Sequence, residues 1–281
     1  MTNYFVIFNP AARSEKSRRL QQFLPTQATV AATTGPGDAQ RLAAQAARAG
    51  YPCVVAAGGD GTVNEVVNGL GPHGPALGVL PLGTVNVFAR ELGLPRRLDA
   101  AWAVIAAGRT RTMDLGCATA RGVSRYFVQL AGVGFDAWAV QHASGTLKKR
   151  IGPMSYVWAG LKAVATPCAP VAVGEHRGVA VLVGNGRFYG GRFLLFPRAR
   201  LDDGLLDVCV FERGRYVDVL RYVVAVARGR HARLPDVRYF QAAEFECRAV
   251  AGSAPVEVDG ELAGHAPVRF AVVPGALRVR C

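Results

Sequence analysis

The first 115 residues alternate short, unbroken apolar runs with stretches of helical periodicity, a rhythm that few folds accommodate. YFVIF (4–8) precedes a helical pattern over 15–24, and ATVAA (28–32) precedes GDAQRLAAQAARAG (37–50). CVVAA (53–57) then precedes 62–70, and ALGVL (76–80) precedes 84–92. Strand followed by helix, repeated in this way, predicts βαβ units and a parallel sheet. Near Met113 the texture changes. RYFVQLAG, GVAVLVGN, LLDVCVF, AEFECRAV, PVEVDG and VRFAVV stand between glycine, proline and aspartate, which predicts an antiparallel β domain interrupted by helical patterns near 146–165 and 215–228. The expected organisation is an α/β domain over 1–115 and a β domain over 116–281, with no internal repeat.

A chain of 281 residues exceeds one ordinary domain, and its 51% of hydrophobic residues suffices for a sizeable core. No apolar run approaches the roughly 18 residues of a spanning helix, and MTNYFVIFNP lacks the flanks of a signal peptide, so a soluble, cytoplasmic protein is expected. The cysteines at 53, 117, 168, 209, 247 and 281 form no CxxC pair and have no histidine at zinc-ligand spacing. Reduced, mainly buried thiols are expected. Lysine and arginine (33) outnumber aspartate and glutamate (20), and the net charge of +13 favours anionic partners: nucleic acid, an acidic membrane surface or phosphorylated ligands.

Ligands of an open parallel sheet gather at the carboxyl ends of its strands, where the loops NPAARS, TTGPGD, GGDGT and PLGTVN fall. In GGDGT the glycines permit close backbone approach, and the following helix offers N–H groups and partial positive charge to a phosphate. The plain alternative is a tight turn. Asp60 sharpens the phosphate reading, because a carboxylate beside a phosphate is repelled unless a divalent cation lies between them, and Mg²⁺ suits that position. Neither the dinucleotide fingerprint GxGxxG after the first strand nor a Walker GxxxxGK loop is present.

GGDGTVNEVVNGL with PLGTVNVFARELGLP, preceded by FNPAAR and TTGPGDA, resembles the diacylglycerol kinase catalytic family of lipid kinases, related to sphingosine kinases and NAD kinases. MDLG (113–116), AGVGFDA (131–137), ARLDDGLLDV (199–208) and VDGE (258–261) extend the resemblance over almost the whole chain. It implies a Rossmann-like N-terminal α/β domain that binds ATP and a C-terminal antiparallel β-sandwich, with ATP and lipid meeting in the cleft between them. Carried over residue by residue, the resemblance implies ATP contacts at Asn9, Pro10, Thr33, Gly58, Gly59, Asp60, Gly61, Thr62, Val63, Asn64, Thr84 and Asn86. It also implies a structural metal at Asp203, with backbone oxygens of Arg200 and Leu205. Glu261 matches the proton acceptor, while Asp259 and Asp114 match acidic positions near the active site. Read locally, VDGE is a hairpin turn, LDDG a turn and MDLG a strand ending.

The sequence departs from the family pattern at Val87, where aspartate is usual, and at Arg13, where glycine is common. Both changes touch the nucleotide edge. Phosphoryl transfer asks for an in-line hydroxyl, charge neutralisation and a proton acceptor, roles that Mg²⁺, loop N–H groups and one carboxylate can fill. Glu261 is the first candidate for the base and Asp259 the second, with Asp60 orienting nucleotide, metal or acceptor. In 146–166, Lys148, Lys149 and Arg150 precede Met154, Tyr156, Trp158 and Leu161, a pattern shared by a helix lying on anionic lipid and a core helix with a solvated basic face. Three functions stand: an ATP-dependent lipid kinase peripheral at the membrane, a kinase of a soluble acceptor such as NAD, and a basic nucleic-acid-binding protein. The last lacks a zinc module or aromatic RNA-binding signature, and no nucleic-acid partner is expected. Oligomeric state is not legible, and a homodimer stays open.

Overall fold

The computed structural model describes residues 4–10, 28–142 and 169–281. Arg13, the helical pattern at 15–24, Cys168 and the 146–166 segment lie outside the described residues. The chain divides into two compact units, 1–115 with 273–281, and 116–272.

The first unit carries β1 (Tyr4–Phe8), β2 (Ala28–Ala32), α1 (Asp38–Arg48), β3 (Cys53–Gly58), α2 (Asp60–Leu70), β4 (Ala76–Pro81), α3 (Val87–Glu91) and α4 (Leu98–Ala106). β5 (Thr110–Ala120) then leads towards the second unit. The sheet runs β2-β1-β3-β4 with every pair parallel, as the strand–helix alternation predicts. β3 and β4 are buried at every position, so both read as continuous apolar runs. Val6, Val55, Ala57 and Leu80 pack with Ala101 and Ile105 of α4 in the core. Burying one such valine or leucine contributes about 1.5–3 kcal/mol. α4 was absent from the sequence expectation.

In the second unit β6 (Val123–Phe127), β7 (Leu130–Gly134) and α5 (Phe135–His142) are followed by β8 (Val171–Val173), β9 (His176–Gly178) and β10 (Ala180–Gly184). The ribbon β11 (Phe188–Tyr189) and β12 (Phe193–Leu194), then β13 (Leu206–Phe211) and α6 (Tyr216–Ala227), come next. β14 (Val237–Ala242), β15 (Glu244–Ala249), β16 (Pro255–Val258), β17 (Glu261–His265) and β18 (Val268–Arg280) complete the chain. One antiparallel sheet has the order β14-β13-β10-β7-β16-β17. Its inner face, with Val133, Val181, Val208 and Val256, packs against Val173, Cys247 and Phe270 of the opposing strands. Leu182, Cys209 and Phe211 on the other face pack with Tyr222 of α6. This is an antiparallel β-sandwich with helices on its outer side.

β18 serves both units. Its first residues pair with β15, Val268 opposite Cys247, and near its end Val279 pairs in parallel with Leu77 of β4. Residues 273–281, expected with the β domain, therefore fall in the first unit. The segment RYFVQLAG carries two strands: β6 and β7 part at Val128 and Gln129.

Candidate active site

In the first unit, the loops after β1, β3 and β4 are cross-linked by the residues singled out for nucleotide contact. Asn9 Nδ2 donates to Thr62 Oγ1 at 3.2 Å, and the Asn9 N–H donates to the Ala57 carbonyl at 3.1 Å. Gly58 must lack a side chain, because a Cβ there would lie 2.3 Å from Thr62 Oγ1. Gly59 and Gly83 pack backbone to backbone, and a Cβ on Gly83 would meet the Gly59 α-carbon at 2.7 Å. Asn86, at φ 53°, closes its loop reciprocally: Gly83 N–H donates to Asn86 Oδ1 at 2.9 Å, and Asn86 Nδ2 donates to the Gly83 carbonyl at 2.6 Å.

Asp60 begins α2, and its Oδ1 accepts the Phe88 N–H at 3.3 Å, joining α2 to α3. Val87, where the family pattern has aspartate, is the first residue of α3. Val63 is the first amide of α2 to bond backwards, to the Gly59 carbonyl at 3.1 Å. Ahead of it lies the first turn of α2, where a helix leaves backbone N–H groups without intrahelical acceptors, the arrangement that suits phosphate oxygens. Thr84 and Pro10 are exposed at this edge, whereas Asn64 is buried and accepts from Asn68 Nδ2 at 3.2 Å. Thr33 is also buried, its N–H bonded to the Phe8 carbonyl at 2.9 Å. Beside it, Asp38 Oδ2 accepts from the Thr34 hydroxyl and N–H and the Gly35 N–H. The Thr34 hydroxyl, then its N–H, then Arg41 hold the Asp38 carboxyl well below the usual carboxylate range. A cavity of ≈ 240 Å³ beside the β4 loop is walled by Pro81, Val85, Asn86, Ala89 and Leu94, with Arg90 and Arg96. Asp114 is buried and accepts the Gly275 N–H at 2.8 Å, which fastens the β18 turn to β5.

In the second unit, β16 and β17 form the hairpin read from VDGE. Asp259 and Gly260 occupy its turn with φ 46° and 86°, and Val258 pairs with Glu261. Asp259 Oδ2 accepts the Val128 N–H at 2.9 Å, while Oδ1 accepts those of Gln129 and Leu130 at 3.0 Å each. Both oxygens are thus engaged by backbone. Glu261 opens β17 with its side chain 40% exposed and Arg125 Nη1 4.0 Å from Oε2.

Two acids not selected from the sequence lie beneath this hairpin. Glu257 is buried and accepts the Gly260 N–H at 2.7 Å, and Asp136 is buried and accepts the Tyr189 hydroxyl at 2.5 Å. Burial, followed by the Asp136 charge, pushes Glu257 well above the usual carboxylate range; burial also raises Asp136. Asp136 stands in AGVGFDA and Glu257 two residues before Asp259. A glutamate between two valines on a strand was the available signal.

In the 200–205 loop Asp203 Oδ1 accepts the Leu205 N–H at 3.1 Å, and Arg200 pairs with Asp202 at 3.3 Å. A carboxylate and backbone carbonyls are hard oxygen donors of the kind Mg²⁺ takes. No group of three or more His, Cys, Asp or Glu side chains suited to a metal occurs among the described residues. The loop therefore matches such an ion in donor type alone.

An α/β unit with glycine-rich loops at one sheet edge, continued by an antiparallel β-sandwich, is the fold of diacylglycerol kinases and NAD kinases. Residues 3–118 match the diacylglycerol kinase catalytic domain, and residues 129–281 match the YegS C-terminal NAD kinase beta sandwich-like domain. The diacylglycerol kinase of Bacillus subtilis (strain 168) is 32% identical over 94% of this chain and 91% of its own length. A Pseudomonas aeruginosa protein described as a probable lipid kinase YegS-like is 35% identical over 96% of this chain and 87% of its own length. The chain belongs to the diacylglycerol kinase family. Two solved structures share the fold. A diacylglycerol kinase from Bacillus anthracis has a TM-score of 0.74 at 22% identity, covering 99% of this chain and 96% of its own. An NAD kinase from Archaeoglobus fulgidus in complex with ATP has 0.54 at 10%, covering 99% and 93%.

Proposed function

We propose that this kinase transfers the γ-phosphate of ATP to the hydroxyl of diacylglycerol or a related lipid, with Glu261 accepting the hydroxyl proton. The observation that carries the base assignment is the contrast within VDGE: three backbone amides occupy Asp259, and Glu261 stands partly exposed. In the first unit, the amides at the start of α2 and the loops tied by Asn9, Thr62, Gly83 and Asn86 bind the ATP phosphates. Mg²⁺ accompanying ATP would supply charge neutralisation for the transferring phosphoryl group. The lipid oxygen forms its bond to the γ-phosphorus as the bond to ADP breaks, and the hydroxyl proton passes to Glu261. A carboxylate suffices as base because the transition state is loose and the proton leaves late. Asp203, with carbonyls of Arg200 and Leu205, would hold a structural ion.

The lipid acceptor follows the names of the relatives, and the +13 charge suits work at an anionic membrane surface. No helix among the described residues is long and apolar enough to cross a membrane. The outward face of α6 adds support: Val217, Leu220 and Val224 are exposed in line, with exposed Arg215 before them and Arg228 and Arg230 after. Apolar stripes bordered by cations are the pattern of interfacial helices.

Labelled ATP offered with a lipid panel, with NAD and without acceptor tests the reading. Phosphorylation of a diradyl glycerol or similar lipid is expected, and Glu261→Gln should lower kcat by about 10²–10⁴-fold with the KM for ATP unchanged. Label on NAD alone, or wild-type turnover in the variant, refutes it.

A further inference from the structure

Asp136 and Glu257 form an acid pair that the transfer chemistry above does not use. Asp136 lies at the start of α5 and is 8% exposed; Glu257, on β16, is 1% exposed. Both reach the space over Gly132, where an added Cβ would lie 2.5 Å from Asp136 Oδ2 and 3.0 Å from Glu257 Oε1. The bare α-carbon is what lets the two carboxyls meet. Their remaining oxygens are engaged, Asp136 Oδ1 by the Tyr189 hydroxyl and Glu257 Oε2 by the Gly260 N–H. Glu257 Oε1 is buried and, among the described residues, has no donor unless a carboxyl proton supplies one.

Adjacent buried carboxyls do not both ionise near neutrality, because each charge is desolvated and repelled by the other. One proton shared between Glu257 Oε1 and Asp136 Oδ2 satisfies both oxygens and leaves the pair with a single charge. Burial is the first cause raising each acid. The titratable groups on elements packed around the pair are Tyr189 of β11, Asp259 in the turn, Glu261 and His265 of β17, and Arg125 and Tyr126 of β6. Of these, the Asp259 charge adds to the rise of Glu257, and Arg125 lies towards Glu261.

We infer that Asp136 and Glu257 are positioning residues: their shared proton fixes Glu257, whose second oxygen holds the Gly260 amide and with it the turn that presents Glu261. This rests on Glu261 acting as the base. The sign of the pH dependence follows. Protonation of the pair stabilises the hairpin fully below the ordinary carboxylate range, and that contribution is lost as pH rises through the raised ionisation of the folded state. Two buried charges then repel across Gly132, and their separation shifts the Glu257 carboxyl together with the turn bonded to it, so that Glu261 loses its place.

The test compares kcat against pH for the wild type, Asp136→Asn and Glu257→Gln, with amide hydrogen exchange at Gly260 and Glu261 measured over the same range. Either amide variant preserves a hydrogen bond between the two side chains and has no second proton to lose. The wild type should therefore decline on the alkaline side, and this limb should vanish in both variants. Asp136→Ala should lower kcat by about 100-fold at unchanged KM for ATP, with Asp136→Asn restoring most of the loss. Exchange at Gly260, corrected for intrinsic rate, should accelerate with pH in the wild type and stay flat in Asp136→Asn. An identical alkaline limb in both amide variants, or wild-type exchange that does not accelerate, overturns the inference. If the wild type phosphorylates no lipid, the proposed function fails, and the exchange data alone decide the role of the pair.

Discussion

Asp259→Ala separates a structural role for this aspartate from a chemical one. The substitution removes the acceptor for three amides, those of Val128, Gln129 and Leu130, all in buried residues. An orphaned buried N–H costs about 1–3 kcal/mol, and because neighbouring losses are not additive the sum is taken as about 3–6 kcal/mol. Alanine at φ 46° adds roughly 1 kcal/mol of strain, which asparagine tolerates better. Asp259→Asn can retain the Gln129 and Leu130 bonds through Oδ1, but it turns its NH₂ towards the Val128 amide, a cost of about 1–3 kcal/mol. With the strain included the alanine variant loses about 4–7 kcal/mol. At about 2–4 °C per kcal/mol for a protein of this size, it should melt roughly 8–28 °C below the wild type and the asparagine variant roughly 2–12 °C below it. Calorimetry resolves the transition of the second unit, and turnover is measured well below it. Wild-type melting in both variants, together with lost kcat, would refute the clamp and move Asp259 into the chemistry.

Two further substitutions test the first unit. Gly83→Ala places a methyl 2.7 Å from the Gly59 α-carbon and 2.8 Å from Asn86 Oδ1, so the two glycine-rich loops must separate; on the proposed function the KM for ATP should rise about tenfold, with about 1–3 kcal/mol lost in stability. An unchanged KM would show that the loops do not bind nucleotide together. Asp60→Ala removes the acceptor for the Phe88 N–H and should lower kcat/KM for ATP by about 100-fold while circular dichroism stays native, and wild-type kinetics would count against the loop assignment.

The sandwich strands were less legible than the parallel ones because tertiary partners decide where they break. RYFVQLAG reads as one run, yet the amides of Val128, Gln129 and Leu130 turn to a carboxylate 129 to 131 residues later in the chain. α4 went unread because LDAAWAVIA is apolar almost throughout, and a short apolar segment has no period that separates helix from strand. The glycines of GGDGT and PLGTVN announced a close approach, but only the fold shows that Gly59 and Gly83 approach each other.

By itself the sequence determined the alternation of the parallel strands β1 to β4 with α1, α2 and α3, the glycine-rich loops at one sheet edge and the Asp-Gly hairpin. Each rests on local backbone preference or on a period within a few residues of chain. Tertiary structure alone decided what the acids do. Asp259 sits in a turn that any Asp-Gly predicts, and distant amides make it a clamp. Glu257 stands between valines where alternation would turn a glutamate to solvent, and α5 covers that face and buries it against Asp136. A carboxyl's charge, proton and role depend on the groups folded around it, and those come from parts of the chain that no local pattern connects.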